Sequence, residues 1–270
     1  MSADALAHAQ SEIEGSLKKV YGKKVAKEAM DQAAADAEVA DILGRIKMTT
    51  SMEEVAAEAD LNIEAIVENL EIKLGFFEKL GALAKPDAVL ATNTSSYPVT
   101  KMADASGVAE RVCGIHYFNP VQLMKLVEVV STEKSDPAVI EKVTEFVNKT
   151  GKVPVQAKDT PGFIVNRLLV PYITEAVALV ARGDASPADV DTAMKLGAGH
   201  PMGPITLSDY VGNDINLACM KGWIEAHPGN PSFEIEEGVA LLEKMVAENK
   251  LGRKTGQGFF RWEGNKCLGE

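Results

Sequence analysis

Along residues 3–45, Leu6, Ile13, Leu17 and Val20 recur at spacings that keep one side of a helix apolar. From Met30 to Ala40 the chain becomes rich in Ala, Asp and Glu, which predicts a looser connection or a second helix. The period then changes. Leu61, Ile63, Ala65 and Val67 alternate with Asn62, Glu64 and Glu68, the two-residue rhythm of a half-buried strand. Residues 71–84 return to a helical pattern. Short β-leaning runs follow at 89–92, 112–118 and 126–130, then a helix at 136–149 and a last strand at 153–157. Strands that alternate with helices predict an α/β domain built on a parallel sheet.

The rhythm changes again at Asp159-Thr160-Pro161-Gly162, where a capping residue followed by Pro predicts a helix start. Ile164, Leu168, Ile173 and Val177 supply its buried stripe, and Gly183 ends it. Ser186-Pro187-Ala188-Asp189 repeats the start signal with an acid in the first turn. Further helices are expected after Pro204 and over 236–249. No strand-like alternation of any length follows residue 160. The expected division is therefore an α/β domain over 1–158 and an all-α domain over 159–270, with no internal repeat.

The 270 residues are 46% hydrophobic and 25% charged, enough apolar material for a real core. The net charge of -11 argues against nucleic acid, which needs a basic face, but leaves room for a small anionic ligand held by local lysines. Cys113, Cys219 and Cys267 are odd in number and show no metal spacing, which predicts a reduced, intracellular protein. No apolar run reaches the ~20 residues of a membrane span, and the acidic start is no targeting peptide.

Of the histidines, His116 stands where a strand breaks into a turn, in Gly-Ile-His-Tyr-Phe-Asn-Pro. Ligands gather at such strand ends in open α/β sheets. Glu128 lies in a second strand-like run, where an acid among apolar residues needs a partner. The pair reads equally as a satisfied turn histidine and an acid at a strand edge. Asn93-Thr94-Ser95-Ser96 could bind a ligand oxygen or cap a helix, and Asn166 could bind a ligand or a neighbouring backbone group. Ser95 lies in no Gly-x-Ser-x-Gly elbow, which weakens a hydrolase reading. Lys18, Lys19, Lys23 and Lys24 beside Ser16 form a basic patch, either a phosphate holder or a solvated helix face. Gly256-Gln257-Gly258 after Arg253-Lys254 predicts a tight turn but is too short for a phosphate loop.

Taken in order, Ala65-Ile66-Val67-Glu68-Asn69, Asn93-Thr94-Ser95-Ser96, His116-Tyr117-Phe118-Asn119-Pro120 and Lys125-Leu126-Val127-Glu128 resemble the L-3-hydroxyacyl-CoA dehydrogenases. Lys158-Asp159-Thr160-Pro161-Gly162-Phe163-Ile164-Val165-Asn166-Arg167, Pro201-Met202-Gly203-Pro204 and the stretch from Gly252 to Phe259 continue the match over nearly the whole chain. The resemblance implies a Rossmann-like sheet followed by a helical substrate and dimerisation domain. It implies oxidation of (S)-3-hydroxyacyl-CoA to 3-oxoacyl-CoA with NAD, in fatty-acid β-oxidation. By the same resemblance His116 is the general base, and Glu128 orients and polarises it. Ser95 and Asn166 position substrate; Ala65, Glu68, Lys73, Ser95, Asn119 and Lys254 meet the dinucleotide; Ser16, Lys23 and Ser95 meet CoA. A homodimer is implied, in the mitochondrial matrix of a eukaryote or otherwise in the cytoplasm. The family opens with a strand, a Gly-x-Gly-x-x-Gly turn, a helix and a second strand ending in an acid, and no such segment stands in this sequence. A Rossmann-like sheet truncated at its N-terminus is therefore expected, with weak NAD binding and little turnover by the chain as written. The alternative is a non-catalytic acyl-CoA-binding or dimerising relative.

Overall fold

The computed structural model describes residues 3–233 and 235–269. Helix α1 (Ala3–Ala26) buries none of its side chains and packs on α2 (Gln32–Gly44) as a hairpin. The Asp31 carboxylate accepts the Ala34 amide and so starts α2, which settles the ambiguous acidic stretch as a second helix. Helix α3 (Met52–Glu58) leads into β1 (Leu61–Glu64), α4 (Leu70–Leu83), β2 (Val89–Thr92), α5 (Val99–Ser106) and β3 (Val112–Tyr117). Strand β4 (Leu126–Ser131), α6 (Pro137–Lys149) and β5 (Val153–Lys158) complete the sheet.

The strands lie in the order β1-β2-β3-β4-β5, and all neighbours are parallel except β3 and β4. The expected parallel sheet is thus mixed. The connection 118–125 is too short for a crossover, so the chain returns antiparallel. Helices cover both faces. Phe77 and Leu80 of α4 and Met102 of α5 pack on Leu90, Val112 and Val130; Ile140, Val143 and Val147 of α6 pack on Ala91, Cys113, Ile115 and Val129. Burial alone pushes the Cys113 thiol up to about 12, so it is an inert core residue.

Strand β1 reverses the burial that its alternation suggests: Asn62 and Glu64 are buried, while Ile63 is 40% exposed. Glu64 is tolerated inside because its carboxylate is fully partnered, whereas the buried Asn62 Nδ2 has no hydrogen-bond partner among the described residues. Among the described residues β1 pairs only with β2. Along it runs a cavity of about 740 Å³ whose lining includes Asn62, Ile63, Val55, Ile72 and Phe76.

Helix α7 (Val165–Arg182) opens the helical half, with α8 (Pro187–Gly197), α9 (Pro204–Val211), α10 (Asn213–Ala226) and α11 (Glu236–Ala247). Ile173 and Val177 of α7 meet Val190, Ile205, Leu217 and Leu242 in one core. Two expectations fail here. A small antiparallel hairpin, β6 (Arg261–Glu263) and β7 (Lys266–Gly269), follows the helices, so this half is not all-α. These strands are too short to show an alternating pattern. Asp159, moreover, does not start its own helix. It accepts the amides of Val99 at 2.9 Å and Thr100 at 2.7 Å, capping α5, whose own cap position is Pro98.

Candidate active site

Strands β1, β2 and β3 are parallel, so their carboxyl ends lie side by side. The segments 65–69, 93–96 and 118–120 leave from that edge. His116 lies near the end of β3, and its register partner across the antiparallel pair is Glu128. Directly opposed residues project to one face, so strand pairing itself brings the two side chains together. His116 Nδ1 lies 2.7 Å from Glu128 Oε2, with His116 4% and Glu128 0% exposed.

The other oxygen of Glu128 accepts the amides of Ile164 at 3.0 Å and Val165 at 2.9 Å, at the start of α7. A helix start supplies unpaired amides and the positive end of the dipole, and a buried carboxylate satisfies both. Burial pushes the Glu128 carboxyl up, but the bonds from His116, Val165 and Ile164 outweigh it and hold the group below the usual carboxylate range. The approach of α7 depends on Gly162, at φ +74°, where a Cβ would lie 2.6 Å from the Trp223 ring. Phe163 follows at φ +51° and sets its ring edge-on to His116, 5.5 Å between centroids; the Phe118 ring lies tilted against the imidazole at 4.6 Å.

His116 Nε2 lies 2.9 Å from Ser95 Oγ, and Ser95 is exposed. The ionised Glu128 can only accept, so Nδ1–H donates to it, which leaves Nε2 as the acceptor. The site is therefore a hydrogen-bonded line from a buried carboxylate, through an imidazole, to the surface. Behind Ser95, Glu68 Oε1 accepts the Thr94 hydroxyl at 2.5 Å and the Ser95 amide at 3.3 Å. Burial again pushes Glu68 up, and Thr94 and Lys73 pull it below its ordinary range.

Of the residues singled out in the sequence, Ser95, His116, Glu128, Glu68 and Lys73 join this network. Lys73 faces inward, 1% exposed, with its amine on Glu64 and Glu68 rather than at the surface. Asn166 follows the two amides that hold Glu128 and is half-buried in the first turn of α7. Ala65 and Asn119 are exposed at the strand ends. Lys254 lies apart in the helical half and pairs with Asp214 at 2.5 Å. Ser16 and Lys23 lie on α1, outside the network; Lys18 there pairs with Glu14 and Lys24 stacks on Tyr21. Sequence reasoning missed Thr94's bond to Glu68 and the whole of Glu64. A polar residue between apolar ones reads as solvent-facing, and only a partner on another element reverses that. Among the described residues no group of His, Cys, Asp and Glu could hold a metal, and no helix is long and apolar enough to cross a membrane.

Comparison with known proteins bears directly on this geometry. Residues 1–160 match the 3-hydroxyacyl-CoA dehydrogenase NAD binding domain, and residues 162–262 match the 3-hydroxyacyl-CoA dehydrogenase C-terminal domain. The mitochondrial hydroxyacyl-coenzyme A dehydrogenase of Sus scrofa is 48% identical over 260 residues, covering 96% of this chain and 81% of the relative. The 3-hydroxybutyryl-CoA dehydrogenase of Clostridioides difficile is 44% identical over 221 residues, covering 82% of this chain and 77% of the relative. The crystal structure of (S)-3-hydroxybutyryl-CoA dehydrogenase from Ralstonia eutropha superposes with a TM-score of 0.87 at 34% identity, covering 97% of this chain and 88% of that one. With both halves matched and the sheet-and-helix architecture shared, the chain belongs to the 3-hydroxyacyl-CoA dehydrogenase family of NAD-using oxidoreductases.

Proposed function

We propose that His116 is the general base of this oxidoreductase and that Glu128 holds it in the reactive tautomer. The reading rests on one observation, the unbroken line Glu128–His116–Ser95 from a fully buried carboxylate to an exposed hydroxyl. Nε2, unprotonated and at the surface end of that line, takes the proton of the substrate's 3-hydroxyl. Glu128 stays ionised and balances the imidazolium that forms. Ser95 and Asn166 hold the substrate oxygen near Nε2. Phe118 and Phe163 flank the imidazole and keep water from it.

The cofactor fits at the strand ends on the chemistry of the groups there: Glu68, Ser95 and Asn119 are exposed and polar at adjacent carboxyl ends. Lys73, being buried, supports Glu68 and does not itself touch the ligand. Bound there, NAD would supply the acceptor for the hydride from C3 of (S)-3-hydroxyacyl-CoA. Ala65, on the 65–69 turn, borders the same ligand. Lys254 serves the cofactor from the helical half, and Ser16 and Lys23 of α1 offer CoA a hydroxyl and a charge.

The two domains divide near residue 158, and the helical one forms a homodimer. Exposed Leu168 and Leu196, 69% and 84% accessible, support that reading. The matrix of the mitochondrion is the expected compartment if the source is eukaryotic, by analogy with relatives named as mitochondrial.

The test is NADH formation from (S)-3-hydroxybutyryl-CoA, read at high enzyme and NAD concentrations because the parent rate is expected to be low. His116→Gln should cut kcat by about 10³-fold, the range of a positioned base, with the melting temperature little changed. Turnover that survives the substitution removes His116 from the mechanism.

A further inference from the structure

Lys73 and Glu64 are a buried ion pair that the catalytic line does not use. The Lys73 side chain is 1% and the Glu64 side chain 0% exposed, with Nζ 2.7 Å from Oε1. Lys73 comes from the first turns of α4, and Glu64 ends β1. Replacing such a pair with apolar residues is commonly neutral or stabilising, so packing alone does not account for it. Its connections show a direction. Glu64 Oε1 also accepts the Ile66 amide at 2.7 Å, and Oε2 accepts the Thr92 hydroxyl at 2.7 Å. One carboxylate thus ties the end of β1, the 65–69 turn and the end of β2 to one ammonium. That ammonium has a second partner, Glu68 Oε2 at 3.1 Å. Glu68 passes the constraint on through its other oxygen, to Thr94 and to the amide of Ser95.

We propose that Glu64 and Lys73 are positioning residues: the buried pair holds the Glu68 carboxylate, and Glu68 holds Ser95 against His116. The chain Glu64–Lys73–Glu68–Ser95–His116 reaches the imidazole from the side opposite Glu128. His116 is thereby fixed at both nitrogens, at Nδ1 by the helical half through Glu128 and at Nε2 by the β1 and β2 ends through Ser95. Glu68 is 40% exposed on its side chain, and without Lys73 only the Thr94 hydroxyl and the Ser95 amide oppose its turning toward solvent. A long ammonium with three donors, rooted on a helix, bridges two carboxylates that would otherwise repel. Lys73 acts from behind the site and Glu64 from further back.

The inference rests on His116 as base, and a double-mutant cycle separates the two. Glu64→Gln keeps the shape and removes the charge. It should lower kcat about tenfold, with KM for the acyl-CoA changed less than about twofold. In a Ser95→Ala background the same substitution should cost less than about twofold, because the effect travels through Ser95. An equal tenfold loss in both backgrounds overturns the proposal, as does a fall in melting temperature with kcat unchanged. Lys73→Met should behave like Glu64→Gln. If Glu64→Gln does not fold, Glu64→Leu with Lys73→Met leaves neither charge unpaired and is read by the same cycle. Loss of turnover in His116→Gln with no coupling between positions 64 and 95 sinks this inference alone. Turnover that survives His116→Gln sinks the reading beneath it.

Discussion

Two buried carboxylates, Glu128 in the sheet and Asp209 on α9, are built almost alike. Each is 0% exposed and each accepts two consecutive backbone amides, Ile164 and Val165 for Glu128, Phe259 and Phe260 for Asp209. The remaining partners differ. Asp209 also accepts from the Trp262 indole at 3.0 Å and the Asn213 amide at 3.1 Å, both neutral and both buried. Glu128 spends its second oxygen on an imidazole whose far nitrogen reaches an exposed hydroxyl. Burial and full satisfaction therefore do not single out the carboxylate proposed to position the base. The mark is a titratable partner with a route to the surface. Asp209 instead ties the last hairpin and α10 to α9, and Gly258 makes room for it: a Cβ there would lie 2.0 Å from its carboxylate.

The contrast can be broken from the Asp209 side first. Asp209→Ala strands four donors in a dry setting, and stability should fall by about 3–5 kcal/mol in chemical denaturation. The molecules that remain folded should keep their kcat. A loss under about 1 kcal/mol would mean that the hairpin is not held by this carboxylate. Glu128→Gln should show the opposite balance. The shape survives, but an amide cannot both hold the imidazole tautomer and balance its charge, so kcat should drop about 100-fold while stability changes by about 1–2 kcal/mol. Equal effects on both quantities would erase the distinction drawn here.

The smallest effect is on acid stability. Folding lowers the Glu128 carboxyl below its unfolded value. Its contribution is then complete above the unfolded carboxylate range and is lost as pH falls through the folded value. The stability gap between the parent and Glu128→Gln should narrow as pH drops from about 7 toward 3. A gap that widens in acid would reverse the assigned sign.

Much of the molecule was readable from local pattern. The strand at 89–92 falls where its apolar run stands, and Ser186-Pro187 starts α8 as a capped helix should. The site was readable only in its ingredients. His116 and Glu128 stand twelve positions apart in two apolar runs, and only the antiparallel pairing of those runs makes them neighbours. Asp159 shows the limit of local rules: the capping residue was evident, but the helix it caps begins sixty residues earlier. Glu64 shows it again, since a polar residue on an alternating strand carries no sign that a lysine from the next helix will meet it indoors.

The order of residues alone determined most of the longer helices and strands, though not α10 or the β6–β7 hairpin, because capping, proline placement and hydrophobic period act within a few positions. It also carried the motifs that ally the chain with its family. The tertiary structure decided that β4 runs back against β3, that Lys73 turns inward, and that the start of α7 closes on Glu128. These outcomes depend on charges and amides from distant segments satisfying one another where water is excluded, and no local window contains both partners.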